Sequence, residues 1–295
     1  MKTASINAES KEIPFSDRDF GSLACLAKSK FGLNLAESKK PLVYSRLSKR
    51  LRARNVSSFS EYISLLSIPE EESERFELIS ALTTNVTSFF RENHHFETLQ
   101  EVLSTELIPK AKSGHRVRIW SAGCSAGPEP YSTAMTIFNK FPDVDQYDVK
   151  ILATDIDPKV ISKAREGKYS IDELDGISDI YKHQWIKPVD EGSNFIVSDK
   201  LKNLITFNEL NLISNWPFNG PFDVIFCRNV AIYFDQATQQ NLWSRFCDLL
   251  TPKGLLFIGH SERVTGPATG NLEGIGITSY HKVTNRVQNT QNRSV

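Results

Sequence analysis

A glycine-containing loop and a later aspartate are the first residues in this sequence whose types and spacing could do chemistry. The loop SAGCSAGPEPYS, residues 121–132, follows the apolar run VRIW, and Asp155 ends the next apolar run, VKILAT. In a doubly wound fold such a loop lets a nucleoside-bearing cofactor approach the backbone, and the acid accepts hydrogen bonds from ribose hydroxyls. The spacing Gly123-x-x-x-Gly127 is not G-x-G-x-x-G, so a tight turn without a ligand explains the loop as well.

Glu129 narrows the choice of cofactor. It stands between Pro128 and Pro130 at the expected start of a helix, where the missing proline N–H groups cost nothing. A carboxylate at a helix N-terminus repels a pyrophosphate, whereas it attracts an ammonium or a sulfonium. The loop therefore favours S-adenosylmethionine (AdoMet) over NAD. An NAD oxidoreductase is less well supported, because no histidine is obviously placed for hydride transfer.

Two polar segments are further candidates for a site. The run 83–88 precedes an expected helix with Arg91 in its first turn. Its amide and hydroxyl groups suit the zwitterionic amino-acid tail of a cofactor. Arg228, Asn229 and Tyr233 follow the apolar run FDVIFC, at the edge of a parallel sheet where ligands bind. Each has a plainer alternative: Arg91 as a solvated helix residue, Arg228 as a structural partner of loop carbonyls, and Tyr233 as a packing aromatic.

The elements that must position these residues alternate along the chain. Apolar runs at 117–120, 149–154, 222–227 and 255–259, separated by amphipathic stretches, predict a doubly wound, mostly parallel sheet with helices on both faces. Residues 185–207 interrupt the alternation, because WIKPV and NFIV are joined by the turn DEGS and followed by ITF. We expect an α/β fold with a small antiparallel insert there.

The first 80 or so residues predict an all-α domain. Its expected features are a Ser16 cap before the stripe Phe20, Leu23, Ala27 and Phe31, a helix after Pro41 with the stripe Tyr44, Leu47 and Leu51, and a Ser58 cap. We therefore expect five segments: a polar tail (1–13), a helical domain (14–82), a linker with the first helix of the site (83–115), the α/β domain (116–284) and a disordered tail (285–295).

Composition excludes several classes of protein. In 295 residues, Lys+Arg and Asp+Glu both number 35, which argues against a whole-protein grip on nucleic acid or on an anionic membrane. The cysteines form no C-x-x-C pair, and adjacent His94 and His95 are expected on different sides of a helix, so we expect no metal site. The polar N-terminus lacks the apolar stretch of a signal peptide, no apolar run is long enough to span a bilayer, and the widely spaced cysteines are typical of reduced thiols. The chain is therefore expected to be cytoplasmic.

One short motif is rejected. Asn215-Trp216-Pro217-Phe218 is superficially similar to the N-P-P-F signature of adenine methyltransferases. It has one proline and precedes the strand 222–227 instead of following it. We interpret it as support for a loop and expect no nucleic-acid partner.

Six segments in order resemble the chemotaxis receptor methyltransferase family, CheR. They are TTNVTSFFRE (83–92), SAGCSAGPEPYS (121–132), ATDID (153–157), NLISNWPF (211–218), FCRNVAIYFD (226–235) and LLFIGHSE (255–262). The similarity runs from about residue 15 to residue 283. Pro128 departs from the family, which usually has glutamate there, but Glu129 keeps its place.

The resemblance implies an AdoMet-dependent enzyme that methylates glutamate side chains of chemoreceptors and leaves S-adenosylhomocysteine, without a metal. It implies a class I methyltransferase-like fold, and we expect a monomer. The cofactor contacts that it implies are Asn85, Thr87, Arg91, Glu129, Asp155, Asn211, Leu212, Arg228 and Asn229. Arg228 and Tyr233 are expected to position the acceptor, with Arg91 as the alternative. A module that only senses AdoMet or tethers a partner is less well supported, because the site residues are intact.

Two surfaces are candidates for receptor binding. Residues 28–54 carry nine Lys or Arg against the single acid Glu37. Arg46, Arg50 and Arg54 recur every four residues on one helix ridge, with Lys49 beside them, which suits an acidic receptor helix. A solvated charged face has the same pattern. By resemblance, the insert corresponds to a β-subdomain that in some members holds a C-terminal receptor peptide by strand addition.

Overall fold

The computed structural model describes residues 13–283, which form two compact units that meet in sequence between Thr84 and Asn85. The predicted tails, 1–13 and 285–295, lie outside the described residues apart from Ile13, which is buried. Within the described range no helix combines the length and the apolar character needed to cross a bilayer. All four cysteines are free thiols.

Helices make up the first unit. They are α1 (Asp17–Phe31), α2 (Lys40–Ala53), α3 (Phe59–Leu66) and α4 (Glu72–Leu82). The Ser16 cap is confirmed, because its hydroxyl accepts the Asp19 N–H at 3.1 Å, and α1 buries the predicted stripe. The stripe of α2 differs by one position. Val43 is buried in place of Tyr44, whose ring lies half-buried at 5.9 Å from the ring of Phe59.

The second unit alternates strands and helices. Its elements are α5 (His94–Val102), α6 (Ile108–Lys112), β1 (Val117–Ala122), α7 (Pro128–Lys140), β2 (Val149–Asp155), α8 (Pro158–Glu166), β3 (Lys168–Ser170), α9 (Asp179–Trp185), β4 (Ile186–Val189), β5 (Asn194–Val197), α10 (Asp199–Lys202), β6 (Ile205–Glu209), β7 (Phe222–Cys227), α11 (Gln236–Leu249), β8 (Leu250–Ile258), β9 (Leu272–Gly276) and β10 (Ser279–Lys282).

The seven-stranded sheet confirms the predicted fold class. Its order is β6-β2-β1-β7-β8-β10-β9, with the first five strands parallel and the last two antiparallel to their neighbours. Alternate residues of β1 face opposite cores, since Ile119 packs with α5 and α7 residues while Trp120 packs with α11 residues. The chain leaves the sheet in opposite directions from β1 and β7, which opens a crevice beyond their carboxyl ends.

The antiparallel insert is displaced from its predicted range of 185–207. Its sheet has the order β3-β5-β4, so it begins at Lys168 and ends at Val197. The ITF run is instead part of β6, the parallel edge strand beside β2. The sequence pattern was misleading at both ends of the insert. The three residues of β3 are too few to show alternation, and the short run Ile205-Thr206-Phe207 suits a strand of either sheet.

The helix predicted to begin near Phe89 starts later. Residues 85–93 are irregular, with Phe90 and Glu92 at φ of 53° and 56°, and α5 begins at His94. Arg91 therefore lies in a bend before the helix and not in its first turn. Left-handed conformations interrupt a helix, and the sequence pattern does not reveal them.

Candidate active site

The carboxylate of Asp155, at the end of β2, accepts backbone hydrogen bonds that join this strand to the loop between β1 and α7. The Ser125 N–H donates to Asp155 Oδ2 at 2.8 Å, and the Asp157 N–H donates to Oδ1 at 3.1 Å. The Leu210 N–H donates to the Asp155 carbonyl at 2.9 Å, which brings the segment after β6 to the same edge. Burial raises the pKa of Asp155.

The irregular segment 85–93 lies against this loop. Ser125 Oγ donates to the Asn85 carbonyl at 3.1 Å, and Asn85 Nδ2 donates to Asp157 Oδ2 at 3.4 Å. At the other end of the segment, the Phe90 N–H donates to Ser132 Oγ on α7 at 2.9 Å. The polar residues before α5 are thereby fixed at the crevice and not left as a solvated linker.

Arg228 is the centre of a buried charged network. Its Nη1 donates to Glu129 Oε2 at 3.1 Å, its Nη2 lies 3.5 Å from Glu92 Oε2, and Nη2 also donates to the Arg91 carbonyl. Ser121 Oγ donates to Glu129 Oε1 at 2.6 Å. One guanidinium therefore ties the ends of β1 and β7 to the segment before α5, and two carboxylates neutralise its charge.

Electrostatics differ between these two carboxylates. Burial raises the pKa of Glu129, although the charge of Arg228 and the Ser121 hydrogen bond oppose the rise. Burial also raises the pKa of Glu92, but the charge of Arg228 and bonds from His260 outweigh it and leave that pKa below its ordinary value. His260 Nδ1 lies 3.3 Å from Glu92 Oε1.

The two candidate arginines are not equivalent. The Arg228 side chain is 3% exposed and engaged with the network, whereas the Arg91 side chain is 35% exposed. Arg91 Nη1 donates to the Val86 carbonyl at 3.2 Å, and its Nε lies 4.0 Å from Glu92. Arg91 thus keeps N–H donors available for an incoming anion, since a guanidinium carries five. Tyr233 lies half-buried at the end of a short 3₁₀ helix, Ala231–Tyr233, after Arg228.

An arginine that sequence inspection missed binds the backbone of the segment after β6. Arg245 on α11 donates to the carbonyls of Leu212 and Ser214 at 2.7 and 2.6 Å. Its guanidinium carbon lies 3.6 Å from the centroid of the Trp216 ring. Asn211 Oδ1 in turn accepts the Ile213 N–H at 3.1 Å. The interpretation of the NWPF motif as loop support is confirmed.

Glu92, His94 and His95 come together, contrary to the expectation that the histidines lie on different sides of a helix. The ring centroids of His94 and His95 are 4.1 Å apart at the start of α5. By position the three side chains could hold a metal ion. The Arg228 guanidinium already supplies a positive charge to Glu92, and burial together with that charge lowers the pKa of His95 to about 3.

The crevice residues fit a nucleoside cofactor that carries positive charge. Each Asp155 oxygen accepts one backbone N–H, which leaves further lone pairs for ribose hydroxyls. The buried Glu129 and the half-buried Asp155 place two carboxylates along the loop, and Arg228 offsets only the charge of Glu129. A pyrophosphate would meet Glu129, as the sequence predicted, and Asp155 as a second carboxylate.

Comparison with known families supplies the deciding observation. The CheR methyltransferase SAM-binding domain matches residues 85–280, and the CheR methyltransferase all-alpha domain matches residues 18–83. The chain belongs to the CheR methyltransferase family. SAM is AdoMet, so the match agrees with the cofactor predicted from Glu129, and the resemblance stated from the motifs is confirmed.

Relatives support the assignment over most of the chain. A Rhizobium etli protein named "Probable chemotaxis protein methyltransferase" is 52% identical over 255 residues, which cover 86% of this chain and 95% of that protein. The chemotaxis protein methyltransferase of Borreliella burgdorferi is 40% identical, covering 85% of this chain and 89% of the relative. That of Escherichia coli K12 is 39% identical, covering 85% and 86%.

The CheR fold thus joins many, but not all, of the predicted site residues by direct contacts. Glu129, Arg228 and Arg91 meet in one network, while Asp155 and Asn85 meet at the loop after β1. Site residues missed by sequence inspection are Ser121, Glu92, His260 and Arg245. Glu92 and His260 lie in the FFRE and GHSE motifs, which were the only signal for them.

The basic ridge of the CheR all-α domain is largely paired within its own unit. Arg50 donates to both oxygens of Glu74, at 3.1 and 2.7 Å, and lies 3.3 Å from Glu77. Arg54 bonds Glu71 at 2.7 Å. Arg46 donates to the carbonyls of Ala81, Leu82 and Thr83 at the end of α4. These three side chains are not the open ridge that their spacing predicted, because the acids that follow in sequence fold back onto them.

Lys49 keeps the exposed character that a docking residue needs. It is exposed, as is Arg52, and no ion pair to either is found within residues 13–283. A docking role for this helix would therefore rest more on Lys49 than on Arg46, Arg50 or Arg54.

Proposed function

We propose that this chain is a cytoplasmic chemotaxis methyltransferase that transfers the methyl group of AdoMet to glutamate side chains of chemoreceptors. The relatives are named chemotaxis protein methyltransferases, and a glutamate acceptor suits the site. One observation carries the proposal: Arg91 is a partly exposed guanidinium at the rim of a crevice whose other arginine is buried and neutralised. A cation at that position suits an anionic acceptor.

The reaction asks little acid–base chemistry of the protein. A glutamate is ionised at neutral pH, with an ordinary pKa of about 4.3, so no base has to remove a proton. When bound, AdoMet supplies an electrophilic methyl group and its own leaving group. What the chain must provide is in-line orientation and removal of water from the acceptor carboxylate.

Each residue has a distinct proposed role. Arg91 holds the acceptor carboxylate by charge-assisted hydrogen bonds, and Tyr233 borders the path of the acceptor. Asp155 receives the ribose hydroxyls, and Asn85, Thr87, Asn211, Leu212 and Asn229 surround the rest of the cofactor. Glu129 and Arg228 act as one unit: the guanidinium keeps the carboxylate charged beside the cofactor, which replaces the direct acceptor contact expected of Arg228. No metal ion has a role in this proposal.

The insert is proposed to bind a receptor peptide. The β3-β5-β4 sheet has two edge strands, and an extended C-terminal receptor segment could pair with either of them. Pro188 in β4 lacks an N–H and so offers one donor fewer at that edge. We therefore favour the short edge strand β3 for the peptide.

The decisive experiment uses methyl-labelled AdoMet with a chemoreceptor cytoplasmic fragment. We expect label in the receptor that base releases as methanol, the behaviour of a methyl ester. An Arg91→Ala variant is the matched comparison, and it should lose label at subsaturating receptor. If no receptor fragment acquires a base-labile label while the protein binds AdoMet, the glutamate acceptor is wrong.

A further inference from the structure

Glu262 is a buried carboxylate that has no role in the site described so far. Its residue is 3% exposed, and within residues 13–283 no Lys, Arg or His side chain forms an ion pair with it. Burying an unpaired carboxylate is costly unless hydrogen bonds compensate. Burial raises the pKa of Glu262, and backbone N–H groups oppose the rise.

Those N–H groups belong to the strand ends that form the site. Glu262 Oε2 accepts the Asn229 N–H at 3.1 Å and the Gly259 N–H at 2.5 Å, while Oε1 accepts the Ile232 N–H at 3.2 Å. The carboxylate therefore joins the end of β8 to both ends of the turn that follows Arg228. Within the described part of the chain, no other side chain accepts these three N–H groups.

The turn that it holds is conformationally demanding. Asn229 has φ of 60°, in the left-handed region that most side chains avoid. A Cβ at Gly259 would lie 2.6 Å from the Asn229 nitrogen and 2.9 Å from Glu262 Oε2, so the two backbones approach as closely as glycine allows. Such a turn persists only when its surroundings fix it.

We propose that Glu262 is a positioning residue for the cofactor site: its carboxylate fixes the turn 228–232 so that Asn229 and Arg228 are held at the crevice. The inference rests on the proposed function only in taking Arg228 and Asn229 as part of the AdoMet site. In this proposal Glu262 acts on the backbone of the turn and is given no direct contact with the cofactor or the acceptor. Its effect is transmitted through the backbone N–H groups of Asn229 and Ile232.

The test is Glu262→Gln, with Asp223→Asn as its matched control. Gln keeps the shape but turns an N–H donor toward at least one backbone N–H. Asp223 lies on β7 at the opposite end from Arg228, is also buried, accepts the Arg118 N–H at 3.0 Å and, unlike Glu262, forms an ion pair with Lys110. Both variants lose one buried charge, but only the first perturbs the turn at the site.

The measurements are the dissociation constant for S-adenosylhomocysteine by calorimetry, the KM for AdoMet, and the Tm of each variant. We expect E262Q to raise that dissociation constant and the KM about tenfold, because a backbone donor facing another donor loses its hydrogen bond. D223N should lower the Tm and leave both constants within about twofold of the wild type.

Outcomes separate this inference from the proposed function. If the wild type binds S-adenosylhomocysteine but E262Q binds it as tightly, Glu262 does not position the site. If D223N weakens binding as much as E262Q, the effect is general destabilisation, and the inference is also wrong. If the wild type itself does not bind S-adenosylhomocysteine, the proposed function fails, and this inference fails with it. Should E262Q not fold, Glu262→Asp keeps the charge but shortens the side chain, and the same two constants and the Tm are measured on that variant.

Discussion

Replacing Arg228 by alanine removes the only guanidinium that lies between Glu129 and Glu92 within the described residues. Glu129 would keep its hydrogen bond from Ser121, and Glu92 its bonds from His260, but neither would keep a full positive charge. Removing one partner of a buried ion pair costs about 3–5 kcal/mol, a large fraction of the ~5–15 kcal/mol that stabilises a typical domain. We expect a loss of that size at pH 8.

The loss should depend on pH in a definite direction. The pKa of Glu129 is already raised by burial, and without the Arg228 charge it should rise further. A carboxyl with a raised pKa in the folded state destabilises the fold above that pKa, and the penalty disappears as pH falls toward the ordinary value of about 4.3. The stability difference between wild type and R228A should therefore shrink to about 1–2 kcal/mol near pH 5.

Urea denaturation at pH 5.0, 6.5 and 8.0 would measure this difference. The double variant R228A/E129Q tests the origin, since a neutral amide at 129 should recover about half of the loss at pH 8 and should flatten the pH dependence. A loss that is equal at pH 5 and pH 8, or one below about 1 kcal/mol at pH 8, would refute the assignment of Arg228 as the charge partner of Glu129.

Three further predictions concern the rim, the loop and the helical unit. In a methyl-ester assay, Arg91→Ala should lower kcat/KM for the receptor fragment about a hundredfold, equivalent to about 2.7 kcal/mol for a charge-assisted bond. An unchanged value would argue against Arg91 as the residue that holds the acceptor carboxylate. Arg245→Ala should raise the dissociation constant for S-adenosylhomocysteine several-fold in calorimetry by releasing the 212–214 carbonyls, and wild-type binding would contradict that role. Lys49→Glu should raise the KM for receptor without lowering the Tm, whereas Arg50→Glu should lower the Tm by replacing the two hydrogen bonds to Glu74 with a like charge beside it; the reverse pattern would show that Arg50 is the docking residue.

The sheet and its reaction edge were predictable because they depend on local pattern. Continuous apolar runs such as FDVIFC predict buried parallel strands, and chemistry-bearing residues at their carboxyl ends must then meet. That argument correctly brought Arg228 and Asp155 to one edge. It also predicted the carboxylate of Glu129 at the loop, because prolines on both sides mark the start of a helix.

What sequence inspection missed depends on contacts between distant positions and on backbone donors. Arg228 and Glu129 are 99 positions apart, and no spacing rule pairs them. Glu262 acts through backbone N–H groups, which every residue except proline carries, so its partners cannot be recognised from residue types. The prediction that Arg46, Arg50 and Arg54 share one ridge of a helix was correct. Whether that ridge is exposed depends on where α4 packs, and the sequence pattern of α2 carries no information about that.

The Arg50 and Arg54 pairs with Glu71, Glu74 and Glu77 have a consequence for the speed of partner binding. Opposite charges a few ångströms apart cancel beyond their immediate surroundings, and at physiological ionic strength fields decay within about 8 Å. The long-range attraction of an acidic helix would then come from cations that are not in these ion pairs, such as Lys49 and Arg52. Electrostatic steering toward this helix should be modest, and the association rate constant should fall only weakly with added salt.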